Sequence, residues 1–178
     1  MFLSIAFNEF KYMFWSLQSL VIGCLFFSIG FLLTANSVEF TMIASGGQVF
    51  INSPYAISIL MVFLSLFATF IIPSFMAMSV LKDVEHKFDA ILFSTPITKT
   101  SYLLGRFIGS FVALVIVLFI VPLGMYLGTF WPLANTETLA VNNINHYLIT
   151  FFSFLIPSVF TLSALIFAVA IATRSLLY

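Results

Sequence analysis

Charge is scarce in this chain. Lys, Arg, Asp and Glu together make up 7% of its 178 residues, while 62% are hydrophobic; an ordinary soluble domain carries about 25% charged residues. A water-soluble fold could not cover that much apolar surface, so the solvent for this fold is expected to be lipid. The formal net charge is zero. No Arg/Lys-rich patch is interleaved with aromatics, which removes the electrostatic footprint of a nucleic-acid binder. The single cysteine, Cys24, lies inside the first apolar run. It can form neither an intrachain disulfide nor a multi-cysteine metal site, and packing is its expected role. A phosphate-binding G-x-x-x-x-G-K-[ST] string is also missing, so the chain carries no P-loop of its own. His86 and His146 fall in different connections, neither with the helix-spaced partners of a zinc site. No Ser/His/acid group can be assembled from them. The chain is therefore expected to have no catalytic residues, no metal and no cofactor, and not to be an enzyme.

What the sequence does contain is four long runs free of Asp, Glu, Lys, Arg and His, at 14–35, 55–80, 107–131 and 147–172. Each is about 22–26 residues, enough at a rise of about 1.5 Å per residue to cross a hydrocarbon core of about 30 Å. Backbone amides in lipid must be paired internally, which leaves helices or a closed barrel, and these runs are too long and too continuously apolar for barrel strands. Pro73, Pro122 and Pro157 fall within the last three runs and are expected to kink rather than end them. The first run is longer than the roughly 7–15 residues of a signal-peptide core, and Glu9 and Lys11 replace the usual basic leader, so it reads as a retained span. The fold class expected is all-α: a polytopic transmembrane helical bundle with four spans in one domain.

The basic residues orient the bundle. Lys11 precedes the first run, Lys82, Lys87, Lys99 and Arg106 lie between the second and third, and Arg174 follows the fourth. The connections 36–54 and 132–146 hold no Lys or Arg, only Glu39 and Glu137. By the positive-inside rule the N-terminus, the loop 81–106 and the C-terminal stretch 173–178 face the cytoplasm of an integral membrane protein. The amphipathic aromatics agree: Tyr12, Trp15, Tyr102 and Tyr178 fall near the inner ends of the runs, and Tyr55, Tyr126, Trp131 and Tyr147 near the outer ends.

Residues 1–13 set Phe2, Ile5, Ala6, Phe7 and Phe10, with Phe14, opposite Ser4, Asn8 and Lys11, the pattern of a helix lying in the interface. In the outer connections, Gly46-Gly47 predicts a turn and Asn52-Ser53-Pro54 a cap with a first-turn proline. Gly105-x-x-x-Gly109 and Gly124-x-x-x-Gly128 predict close helix packing near the two ends of the third span.

The loop 81–106 is the most informative segment. Val84, Phe88, Ile91 and Leu92 stand at i, i+4, i+7 and i+8 and form one apolar stripe, with Asp83, Glu85, His86, Lys87 and Asp89 around the remainder. A short amphipathic helix ended by Pro96 is expected, with Thr98 to Ser101 offering caps for the next. Asp83 and Lys87 form a favourable pair, but Glu85 and Asp89 repel at the same spacing. Intrahelical pairing does not account for every charge, and some are available to a partner.

The string Glu85-His-Lys-Phe-Asp-Ala-Ile-Leu-Phe-Ser-Thr-Pro-Ile-Thr-Lys-Thr-Ser-Tyr-Leu-Leu-Gly-Arg106 resembles the cytoplasmic loop of ABC transporter permeases of the type-2 (ABC-2-like) exporter class. Phe7-Asn-Glu-Phe-Lys-Tyr12 is similar to their N-terminal interfacial helix. Ile51-Asn-Ser-Pro-Tyr-Ala-Ile57 resembles an outer segment of the subgroup often fused to an aminopeptidase-like domain. The resemblance implies that the loop is a coupling helix seated on a separate ATPase subunit. Glu85, Phe88, Asp89, Ile91 and Leu92 would form the docking surface, and Thr95, Pro96 and Lys99 would shape the turn back. It further implies a bacterial inner membrane, a second permease copy or half as partner, and six spans per half, so that these four spans are the N-terminal part of a longer permease. The alternative function is a four-span scaffold or assembly subunit with no transport activity. The spans do not choose a substrate.

Overall fold

The computed structural model describes residues 2–35, 50–85, 98–131 and 139–176, with the backbone alone at 81–85 and 174–176. All regular structure among the described residues is helical. In chain order the helices are α1 (Phe2–Phe14), α2 (Leu17–Ala35), α3 (Pro54–Glu85), α4 (Lys99–Leu118), α5 (Ile120–Gly128), α6 (Ile144–Thr150), a π turn (Phe151–Leu155) and α7 (Ile156–Leu176). Among the described residues four helical segments are long and apolar enough to cross a membrane: Leu17–Ala35, Pro54–Val80, Lys99–Gly128 and Ile144–Thr173. The chain is an integral membrane protein with an all-α bundle, and the spans coincide with the four uncharged runs to within a turn except at the start of the third.

Local chemistry explains the boundaries. Between α1 and α2 the Ser16 hydroxyl donates to the Met13 carbonyl at 2.7 Å, and the Ser19 hydroxyl donates to the Phe14 carbonyl, so side chains cover the main-chain oxygens left at the break. At the start of α3 the Ser53 hydroxyl accepts from the Ala56 amide at 3.2 Å, with Pro54 as the first helical residue. Pro73 stands inside α3 without ending it. Pro122 has no N–H for the Leu118 carbonyl four residues back, and there the third span breaks into α4 and α5 around Phe119. Pro157 follows the π turn, where the Ile156 amide reaches five residues back to the Phe151 carbonyl. Two of the three expected proline kinks thus take visible form, one as a break and one as a π turn.

The chain divides into two compact units. The first comprises Met1–Ser19, Ala68–Ile116 and Val159–Tyr178. Its buried side chains include Met13, Ile72, Phe75, Met76, Leu114 and Val159, and the Phe107 ring meets Phe160 and Phe167 at centroid distances of 6.1 and 5.2 Å. The second comprises Leu20–Phe67 and Val117–Ser158. Phe26, Ile57, Leu60, Met61, Leu64, Leu118 and Phe151 are buried there. Lys11, Lys82, Lys99, Arg106 and Arg174 all belong to the first unit, and the second holds no Lys or Arg.

One side chain departs from expectation. Cys24 is exposed, so it is not a packing residue within the chain: its position on α2 falls outside the stripe of Gly23, Phe26 and Gly30 that is buried. Tyr147, in the first turn of the fourth span, is 1% exposed, and its hydroxyl donates to Asn142 at 3.2 Å. The outer turn at Gly46-Gly47 lies outside the described residues.

Candidate functional site

The amphipathic pattern of α1 suggests a polar face of Ser4, Asn8 and Lys11, and these three are indeed exposed. The buried residues on the opposite side are Glu9 and Met13. A carboxylate on a buried helix stripe requires a reason, and α4 supplies it. Arg106, placed by sequence at the mouth of the span, is seven residues inside a helix that starts at Lys99, and it is only 9% exposed. The apolar count places the span at Phe107, but Thr98 extends the helix backwards by accepting from the Ser101 amide at 3.4 Å.

Arg106 joins three elements of the first unit. Its Nη1 donates to the main-chain oxygen of Ser79 on α3 and lies 3.8 Å from Glu9 Oε2 on α1, while its Cζ stands 5.1 Å from the centroid of the Tyr102 ring. The guanidinium suits this position because it carries five N–H donors in a rigid fork and stacks on aromatic faces. Glycines on either side allow the approach. A Cβ at Gly109 would lie 2.5 Å from the Ala6 carbonyl oxygen and 2.8 Å from Glu9 Cβ, and one at Gly105 would lie 3.3 Å from the Phe2 carbonyl oxygen. Only a residue without a side chain lets the backbone of α1 come this close.

Comparison with protein-family models, curated proteins and solved structures gave no match.

The docking residues implied by resemblance are only partly described. Glu85 ends α3, which continues from the second span through 81–85 without a break, and Lys99 opens α4. At 32 residues α3 is about 48 Å long, well beyond the roughly 30 Å a bilayer core requires. Phe88, Asp89, Ile91, Leu92, Thr95 and Pro96 lie outside the described residues, as do His86 and Lys87. The other glycine pair belongs to the second unit: a Cβ at Gly124 would lie 2.7 Å from the Phe27 carbonyl oxygen, and one at Gly128 would lie 2.6 Å from that of Phe31. The paired glycines of the third span therefore meet α1 at one end and α2 at the other.

The second unit also holds a set of uncharged polar contacts that sequence reasoning missed. Asn52, 3% exposed, donates to the Ala140 carbonyl at 2.7 Å and accepts from the Ala140 amide at 2.8 Å. Asn142 donates to Thr129 at 2.6 Å and accepts from Tyr147, whose ring stands edge-on to Tyr126 at 5.6 Å. Asn143 accepts from the Asn145 amide at 3.0 Å as the cap of α6. These side chains tie 139–143 to the helix ends around it. The run of three asparagines among 142–145 was the available signal, since asparagine favours caps and turns. Buried hydroxyls of Ser110 and Ser163 in the first unit, and Nδ1 of His146 in the second, have no hydrogen-bond partner among the described residues. Among those residues no group of three His, Cys, Asp or Glu could hold a metal ion.

Proposed function

We propose that the chain is a membrane-spanning permease subunit, or the N-terminal part of one, of an ATP-binding-cassette exporter, driven by a separate ATPase that seats on the segment between the second and third spans. The observation that carries this reading is the string from Glu85 to Arg106, with its repelling acidic pair, apolar stripe and Thr-Pro-Ile-Thr-Lys turn. Three further points support it. The segment is framed by a helix that outruns the bilayer and another that opens at Lys99. All six Lys and Arg residues fall before the first run, between the second and third, or after the fourth, which supports a cytoplasmic face for those stretches and both termini inside, as in a bacterial inner membrane protein. The chain also lacks a P-loop of its own.

The test is co-purification of ATPase activity with the full chain from its native membrane. Phe88→Asp or Glu85→Arg abolishes the association while leaving insertion intact, and Asn145→Ala in the second unit leaves it unchanged. Undiminished ATPase on the loop variants rejects the docking assignment and leaves a scaffold subunit as the better account. In a Cys24→Ser background, Phe88→Cys reacts with an impermeant maleimide only after permeabilisation; labelling of intact cells overturns the orientation.

A further inference from the structure

We propose that Arg106 is a positioning residue that staples together the two ends of the connection between the second and third spans and fixes that base to α1. The two anchor points lie either side of the connection: Ser79 is six residues before the end of α3, and Arg106 is seven residues after the start of α4. A single guanidinium closes a stretch of 27 residues by donating to the Ser79 carbonyl oxygen, which has a second lone pair to offer beside its helical bond. The same Nη1 faces Glu9 at 3.8 Å, so the closed base is also bound to α1. Gly105 and Gly109 stand immediately beside and one turn beyond Arg106, and they admit the α1 backbone at the height of Glu9. The staple does not depend on what docks between its ends, so it stands or falls separately from the exporter reading.

The two contacts make different chemical demands, which separates them experimentally. Glu9 needs an opposite charge across from it, whereas the Ser79 oxygen needs a donor at position 106. Exchange of the two residues, Glu9→Arg with Arg106→Glu, restores the ion pair but leaves a carboxylate that cannot donate to a carbonyl. Paired spin labels on the full chain in lipid vesicles read both contacts in a Cys24→Ser background. One pair, Lys82→Cys with Lys99→Cys, reports the loop base; the other, Asn8→Cys with Leu104→Cys, reports α1 against α4.

The parent chain gives one narrow distance peak for each pair. Arg106→Met, which keeps length but offers no donor, loses both narrow peaks. Glu9→Gln, the milder variant, loses the α1 peak and keeps the loop-base peak. The exchanged double variant recovers the α1 peak and not the loop-base peak. Two narrow peaks in a helical, monodisperse Arg106→Met overturn the proposal, as does recovery of the loop-base peak by the exchange. If Arg106→Met does not fold, the Glu9→Gln result decides: loss of both peaks or of neither overturns the division of labour.

Discussion

The glycine notch makes a prediction that can be worked through in numbers. Replacing Gly109 with alanine places a methyl 2.5 Å from the Ala6 carbonyl oxygen and 2.8 Å from Glu9 Cβ. Carbon atoms prefer separations of about 3.5–4.0 Å, so α1 and α4 must part by roughly 1 Å, and a gap of that size forfeits about a quarter to a half of each contact well. Neither obstacle is a flexible side-chain end; one is main chain and the other the first side-chain atom. Gly23→Ala is the control, because there the nearest atom is the Ile120 Cδ1 methyl at 3.2 Å, which can rotate away. Both changes gain the same helix propensity, about 1 kcal/mol, so that term cancels in the comparison. What remains is the overpacking cost, and Gly109→Ala is expected to be less stable than Gly23→Ala by about 1–3 kcal/mol. Thermal or denaturant unfolding of the two variants in the same detergent measures the difference. Equal stability, or an advantage for Gly109→Ala, refutes the close approach of α1 to α4.

The second unit supplies two more expectations. Asn52→Ala removes both bonds to Ala140 and leaves a main-chain donor and acceptor short of partners, a loss of about 1–3 kcal/mol; hydrogen exchange at the Ala140 amide should accelerate, and an unchanged rate dismisses the contact. Tyr147→Phe deletes one bond of 3.2 Å at a cost of about 0.5–1.5 kcal/mol. Thr129→Val should cost more in thermal midpoint, because it deprives the Asn142 amide of its 2.6 Å acceptor, and the reverse order contradicts the network.

The four spans were legible because lipid makes a blunt demand: an uncharged run of sufficient length becomes a helix. The runs 55–80 and 147–172 begin and end within a turn of Pro54–Val80 and Ile144–Thr173. Proline positions were legible for a similar reason, since a missing N–H disturbs a helix wherever it falls, although whether it breaks the helix as at Pro122 or adds a π turn as before Pro157 depends on tertiary packing. The GxxxG spacings marked places where backbones meet, but not which helix each would meet. Partner identity was invisible for Asn52 and Ala140, 88 residues apart in sequence. The aromatic rule speaks of depth in the bilayer and not of neighbours, so that Tyr147 is covered by protein and donates to Asn142 was not legible.

Glu9 and Arg106 were the largest omission, and the reason lies in how a buried charge pair acts. At 3.8 Å and an effective dielectric constant of about 20, the mutual attraction is about 4 kcal/mol, while removing each ion from water costs several kcal/mol even after relaxation. The two terms nearly cancel, so the pair adds little to net stability and composition cannot reveal it. Its effect lies in discrimination. If α1 slid by one turn along α4, Glu9 would separate from Arg106 while both stayed among buried side chains, and breaking a buried pair costs about 3–5 kcal/mol. Arg106 would keep the Ser79 carbonyl and the Tyr102 ring, so the larger share of that cost falls on Glu9. The glycines resist the same slide, because Gly109 admits the α1 backbone beside Ala6 and Glu9. Charge and close backbone approach therefore favour one register of α1 together, where apolar contacts alone discriminate less sharply.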